Sequence, residues 1–373
     1  MNDALQKSSV QGVALPRENQ KLLIVHVGPE GEGETAQKRA RAMEDLGHEV
    51  HRVFYRRQGE RPQLALKLYR AAWRRLGYPR GRLGENAALV RAVMGFLPDI
   101  VWVEKGLTIW PSTLKTLKKA TPHTLLVSYS PDDMMNIQNT SRYYWKSLSI
   151  YDMHLTTKTY NVSELTEKGA RRVDFVGAGY HPEIHRPIEL SASDYAAYSS
   201  EVGFVGDYEE DRAKRMTSIA MADIPVRIWG TRWNQLSRPH SNLKIEGRPV
   251  YSDEYAKVLC ATKINLCFLR KINRDRYTTR SIEIPACGAF MLAERTEEHL
   301  NLFEEGKEAE FFEKDYEMIE KIRYYLAHPD ERRQISLAGR ERCLKSGYSY
   351  HHRIASVLKN ILESRQETAI EKK

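Results

Sequence analysis

The stretch DRYTTRSIEIPACG (residues 275–288) concentrates residue types that could hold a nucleotide. Thr278 and Thr279 are of the kind that caps a helix, which would run to Cys287 and stop at Gly288. The first backbone amides of a helix have no partner inside it. Arg276 and Arg280 beside them would therefore offer an anion both fixed donors and positive charge, and a phosphate suits such a place. Glu283, about one and a half turns further, can accept two hydrogen bonds from a vicinal diol such as a ribose. Phosphate and ribose together describe a nucleotide. The same residues also suit an amphipathic packing helix with a buried, paired glutamate, and the two readings stand side by side. Pro285 predicts a bend.

Positioning such a site takes strands and helices in alternation. KLLIVHV (residues 21–27) is a near-continuous apolar run ending at Gly28, followed by a helix-forming stretch (35–46) and a second strand (49–55). This is how a doubly wound α/β sheet opens, with its crevice at the strand C-termini. DIVWVE (99–104), TLLVSY (124–129), DMHLTT (152–157) and residues 173–176 continue the series. TLLVSY runs into Ser130, Pro131, Asp132 and Asp133. Two carboxylates past a strand end could position an acceptor hydroxyl or act as a general base, although Asp after Ser-Pro is also an ordinary helix cap. The loop Gly28 to Gly33 lacks G-x-G-x-x-G spacing, and the next strand ends in Tyr55, Arg56 and Arg57 where a ribose-binding acid would stand, which argues against an NAD site.

Residues 177–187, rich in Gly and Pro, read as a linker on which His181 and His185 could reach a cleft, though a linker histidine is more commonly structural. A second α/β set then opens with a strand over 201–205, a turn at Gly206 and a basic helix over 207–221 carrying Arg212, Lys214 and Arg215, a unit suited to face phosphate. A strand over 226–229 ends at Gly230, where Trp229 and Trp233 could stack on a flat ligand or simply pack.

A chain of 373 residues with 41% apolar content is long enough for two cores. We place a loose tail at 1–20, a first Rossmann-like domain at 21–187, a second at 188–350, and at 351–373 a helix folding back on the first domain, with a frayed end. Cys260, Cys267, Cys287 and Cys343 form no CxxC pair, which suits a reducing cytosol and implies neither disulfide nor metal. No apolar run approaches membrane-spanning length. The net charge of +9 is uneven. Across residues 51–91, Arg52, Arg56, Arg57, Arg61, Lys67, Arg70, Arg74, Arg75, Arg80, Arg82 and Arg91 face only Glu60 and Glu85. Such a patch favours an anionic lipid surface, a lipid-diphosphate acceptor or an acidic glycan, while a solvated helical face is the commoner origin of a charge run.

Glu283-Ile-Pro-Ala-Cys-Gly288, with Asp275 eight positions before Glu283, resembles the C-terminal signature of group-1-type glycosyltransferases. More closely, Ile264-Asn265-Leu266, Arg280-x-x-Glu283, Phe303-x-x-Gly306-Lys307-Glu308, Tyr324-Tyr325-Leu326-x-His328-Pro329 and residues 332–342 resemble the CgeB-like branch. The earlier acid is Asp275 rather than Glu, without the family's Gly-Phe-Gly surroundings. The resemblance implies a GT-B fold: two facing Rossmann-like, doubly wound domains with an interdomain cleft. It further implies a metal-independent, cofactor-free transfer from a nucleotide sugar to a glycan, lipid-linked or protein acceptor, as in polysaccharide biosynthesis. The donor would be held by Gly206, Arg212, Trp229, Gly230, Arg276, Thr278, Thr279, Arg280 and Glu283, with Asp275 on a sugar hydroxyl and Asp132 and Asp133 toward the acceptor. If the likeness extends to stereochemistry, configuration is retained; inversion would need Asp132 or Asp133 as base. The expected location is the cytoplasm, with peripheral contact at the inner membrane face through residues 51–91, and no nucleic-acid partner. A nucleotide-sugar epimerase of the same fold, an NAD(P)-dependent oxidoreductase and a basic non-enzymatic binder are the alternatives.

Overall fold

The computed structural model describes residues 21–31, 33–56, 64–81 and 84–370. The first lobe runs β1 (Leu23–Pro29), α1 (Thr35–Asp45), β2 (Glu49–Arg56), α2 (Leu64–Arg75), α3 (Glu85–Phe96), β3 (Ile100–Glu104), α4 (Pro111–Ala120), β4 (Leu125–Ser130), α5 (Arg142–Ser147), β5 (Met153–Thr156), α6 (Thr159–Glu167) and β6 (Val173–Phe175). Its strands form one parallel sheet in the order β2-β1-β3-β4-β5-β6. β1 is apolar apart from His26 because both its faces are covered. Val25 and Val27 pack with Leu89, Val93 and Leu114 of α3 and α4, while Ile24 points oppositely, toward Ala42 and Met43 of α1.

The second lobe adds α7 (Ala192–Tyr198), β7 (Ser200–Val205), α8 (Glu210–Met221), β8 (Val226–Trp229), β9 (Leu243–Ile245), α9 (Ser252–Ala261), β10 (Thr262–Cys267), α10 (Arg280–Ala286), β11 (Met291–Glu294), α11 (Glu297–Leu302), β12 (Glu310–Phe312), α12 (Asp315–Ala327) and α13 (Pro329–Lys345). Its parallel sheet is ordered β12-β11-β10-β7-β8-β9. The order reverses between β1 and β3 in one lobe and between β7 and β10 in the other. Loops leaving strands at such points diverge and open a crevice. The chain thus has the expected GT-B architecture. The basic helix begins at Glu210, later than the expected 207, because residues 206–209 leave β7 as a loop.

Two segments cross between the lobes, and they meet. Tyr180, on the linker, donates its amide to Tyr348 O (3.2 Å) and accepts from the Tyr350 amide (2.8 Å), forming a parallel bridge with Ser349. Beyond this crossing α14 (Tyr350–Ile370) lies on the first lobe. There Tyr350, Ile354, Leu358 and Ile361 complete the face of the core built by Ile24, Trp102 and Val127. Each such side chain withdrawn from water contributes about 1.5–3 kcal/mol.

Candidate functional site

The two lobes face each other across a cleft holding a cavity of about 420 Å³, lined from the first lobe by Gly33, Thr35 and Lys38 and from the second by Gly206, Arg212, Gly230, Arg280 and Glu283 among others. The turn after β7 is tight. A side chain on Gly230, at φ +149°, would sit 2.0 Å from the Gly206 carbonyl oxygen, so only glycine lets these loops pass. Arg212, on the first turn of α8, is 4% exposed. Its Nη1 donates to Asp207 O (3.1 Å) and lies 3.6 Å from Glu209 Oε1, a carboxylate also bound by Arg270 (2.8 Å). Arg212 Nε and Nη2 and Arg280 Nε have no protein partner among the described residues. Both guanidinium carbons lie over the Phe204 ring, 5.5 and 5.8 Å from its centroid. Burial pushes the Arg212 pKa down to about 10, and the neighbouring Arg280 charge pushes the same way. Two cations with unmet donors in one cavity form a site for a polyanion.

The helix tip is not built as the sequence suggested. Thr279 stands at the N-cap in helical conformation and its side chain caps nothing. The Thr278 amide is instead taken by Ser281 Oγ (3.0 Å). With α10 only seven residues long, charge at the site comes from Arg212 and Arg280 more than from the helix. Thr278 and Thr279 still line the cleft. Arg276 does not. It is half exposed, pairs with Glu298 at 2.9 Å and lies outside the residues lining either cleft cavity. Trp229 also departs from its expected place: it is buried between Arg227 and Arg248, 4.7 and 4.9 Å from its ring, because the alternation of β8 turns it away from the cavity.

Glu283 reaches the cavity but is already engaged. Its Oε1 lies 3.3 Å from Lys38 Nζ of α1 and 3.3 Å from His185 Nε2, and Oε2 accepts from Tyr255 OH at 3.1 Å. Burial would raise its pKa; the Lys38, His185 and Arg280 charges and the Tyr255 hydroxyl outweigh burial and hold it at about 2. His185 is itself driven to about 3, chiefly by burial. A ribose seated on Glu283 would have to share it with Lys38, a residue of the opposite lobe.

Deeper in the cleft a cavity of about 190 Å³ is lined by Arg39, Tyr129, Asp132, Lys158, Asn273, Asp275 and Thr279, among others. Arg39 is fixed there by Glu104 (2.9 and 2.6 Å), which also binds Trp102 Nε1 (3.0 Å) and His26 (3.2 Å). Asp132, at the end of β4, pairs with Lys105, and Asp275 pairs with Lys158 at 2.5 Å. Asn273 Nδ2 donates to both carboxylates, at 3.2 Å to Asp132 and 2.6 Å to Asp275. The two acids thus come from opposite lobes onto one amide. For Asp132, burial would raise the pKa, and the Lys105 charge and hydrogen bond override it, so the carboxylate stays ionised.

Asp133 is not a catalytic candidate in this arrangement. Arg274 grips both its oxygens (2.6 and 2.8 Å), Asn161 and the Met135 amide take further bonds at 3.0 Å, and its own amide donates to Asn273 Oδ1. It clamps the lobes together and lies outside the cavity linings. Sequence reasoning missed Lys38, Lys105, Lys158 and Asn273. Lys105 and Lys158, just past β3 and β5, could have been found by reading the residues that follow every strand end.

Of the basic segment, Arg57, Glu60, Arg61 and Arg82 lie outside the described residues. α2 buries none of its side chains against the lobe; Leu64 is 72% and Leu68 63% exposed. Beside it Arg74, Arg75, Arg80, Lys105 and Arg142 line a groove of about 940 Å³. Lys105, through its pair with Asp132, joins this groove to the cleft.

Residues 212–359 match a family model described as glycosyl transferase-like. No curated protein sequence matches the chain. Among solved structures, sucrose-phosphate synthase from Thermosynechococcus elongatus superposes with a TM-score of 0.63 at 13% identity, over 93% of this chain and 100% of that one. HepE from Anabaena, in complex with UDP-glucose, gives 0.62 at 10% identity over 91% and 100%. UDP-GlcNAc 2-epimerase from Neisseria meningitidis, bound to UDP-GlcNAc, gives 0.52 at 10% identity over 91% and 100%. At these identities the likeness is one of fold. The family segment contains Arg212, Asp275, Arg280 and Glu283, and with the GT-B fold it supports a glycosyltransferase.

Proposed function

We propose that the protein is a nucleotide-sugar glycosyltransferase of the CgeB-like kind, in which Arg212 and Arg280 hold the donor diphosphate. The observation carrying this reading is the pair of guanidiniums over Phe204, each with at least one unpartnered nitrogen, among the residues that line the interlobe cavity. As the anomeric bond stretches, the leaving diphosphate gains charge, and cations already in place lower the barrier without reorganising. The reading is metal-independent, since the two guanidiniums supply the countercharge. Gly206 and Gly230 let the backbone approach the phosphates, Thr278 and Thr279 flank them, and Glu283 takes the ribose as Lys38 shifts toward the incoming phosphate.

Asp275 orients a sugar hydroxyl and Asp132 the acceptor. Lys158 pairs with Asp275, and Lys105 pairs with Asp132 and holds its carboxyl below the usual carboxylate range, which makes Asp132 a weak base and favours retention. The HepE complex with UDP-glucose and the epimerase complex with UDP-GlcNAc make uridine nucleotides the first donors to try. The acceptor is anionic and amphiphilic, a lipid-linked glycan in the groove beneath α2, with the exposed leucines of that helix against the inner face of the membrane and the catalytic cleft in the cytoplasm. No described helix is long and apolar enough to cross a membrane.

A calorimetric screen of UDP, GDP, TDP and CMP sugars, followed by NMR of the product's anomeric proton with a lipid-diphosphate acceptor, tests the reading. Conversion of the donor to an epimer without any acceptor, or no nucleotide bound at millimolar concentration, would refute it.

A further inference from the structure

His181 is wholly buried, yet neither of its ring nitrogens has a hydrogen-bond partner among the described residues. A buried polar group left so carries its desolvation cost unrelieved and calls for an explanation. Its Nε2 lies 3.6 Å from Asp45 Oδ2, too far for a hydrogen bond. The same oxygen is 2.9 Å from His351 Nε2. The ligand atoms of the three residues all fall within 4.8 Å of one another, and the two imidazole rings stand 5.1 Å apart at 69°.

We propose that Asp45, His181 and His351 form a binding site for a divalent transition metal of the zinc class. Two imidazole nitrogens and a carboxylate oxygen are ligands that zinc accepts. Tetrahedral bonds of about 2.0–2.1 Å set neighbouring ligand atoms roughly 3.3 Å apart, between the two separations seen here. Asp45 and His351 keep 35% and 19% of their side chains exposed, so an ion enters from solvent and water completes its shell. His181 supplies the buried ligand whose nitrogens are otherwise unmet.

The location gives the ion a task. Asp45 ends α1, His181 follows Tyr180 on the linker, and His351 follows Tyr350 at the start of α14, so one ion ties both crossing segments to the first lobe. The His181 amide also donates to His185 Nδ1 at 2.8 Å, and His185 Nε2 faces Lys38 and Glu283. The ion is a clip on the hinge that takes no part in sugar transfer, and its existence does not depend on the donor reading.

The test uses the full chain stripped with chelator. Titration with Co²⁺ is followed by its visible absorption, and with Zn²⁺ by thermal melting. The expected result is saturation at one equivalent and a Tm rise of roughly 3 °C at an excess of Zn²⁺. Asp45→Asn and His351→Gln, both at partly exposed positions and able to keep the fold, should each abolish saturable binding while leaving the metal-free Tm within about 1 °C of the parent. Absence of one-equivalent binding in the parent chain overturns the proposal. So does undiminished binding in both variants, which would put the metal on other histidines.

Discussion

Replacing Arg212 by Met should stabilise the empty protein while weakening its hold on a diphosphate, a combination that a purely structural arginine would not give. The guanidinium is buried against Phe204 with two nitrogens unmet, and its pKa is pushed down to about 10 by burial and then by Arg280. One unit of pKa is worth about 1.4 kcal/mol, so carrying this proton at neutral pH costs the folded state up to about 3 kcal/mol relative to the unfolded chain. The sign is fixed: a cation whose pKa is lowered by folding destabilises at every pH below the folded value, and the cost is relieved as pH rises through about 10.

Methionine keeps the packing on Phe204 and removes the charge, at the loss of the bond to Asp207 O. The net gain should be about 1–2 kcal/mol in urea melts at pH 7, narrowing above pH 10. With nucleoside diphosphate the order reverses. A charge-assisted hydrogen bond is worth about 1.5–3 kcal/mol, so loss of this partner should raise Kd by about 10- to 150-fold. If Arg212→Met were less stable when empty and bound the nucleotide as tightly as the parent, the anion-site argument would fail.

Three further outcomes follow from the cleft. Asn273→Asp sets a third carboxylate between Asp132 and Asp275 and should cut kcat at least about tenfold with donor Kd little changed; an unaltered kcat would deny those acids a shared role. Glu283, held at about 2 in the fold, contributes stability that is present above the ordinary carboxylate pKa and lost as pH falls toward 2. Glu283→Gln should therefore flatten the acid limb of the stability curve, and it should also erase any preference for ribo- over 2′,3′-dideoxynucleotides if Glu283 seats the ribose. Leu64→Ser with Leu68→Ser should reduce sedimentation with anionic vesicles without shifting Tm, since neither side chain is buried; equal pelleting would remove the membrane reading of α2.

Much of the cleft is legible in the sequence. Arg212, Arg280 and Glu283 line the interlobe cavities as their local pattern of strand, glycine turn and helix start suggested, and Asp275, singled out by the family resemblance, lines one as well. Trp229, Arg276 and Asp133 were misplaced for a common reason. Residue type and nearness to a strand end or helix start do not say which way a side chain faces, and burial or an ion pair settles that over long distances in sequence.

Strand periodicity and glycine punctuation were enough to determine two doubly wound α/β lobes, because backbone hydrogen bonding and two-sided burial leave few other arrangements for such runs, while the facing of their crevices was implied by the family resemblance. Which charges meet was decided only by tertiary structure. Lys38 reaches Glu283, Arg274 locks Asp133, Asn273 joins two acids and His181 lies beside Asp45 and His351 through contacts between loops far apart in the chain. Electrostatics falls off with distance in space, and the sequence records distance only along the backbone.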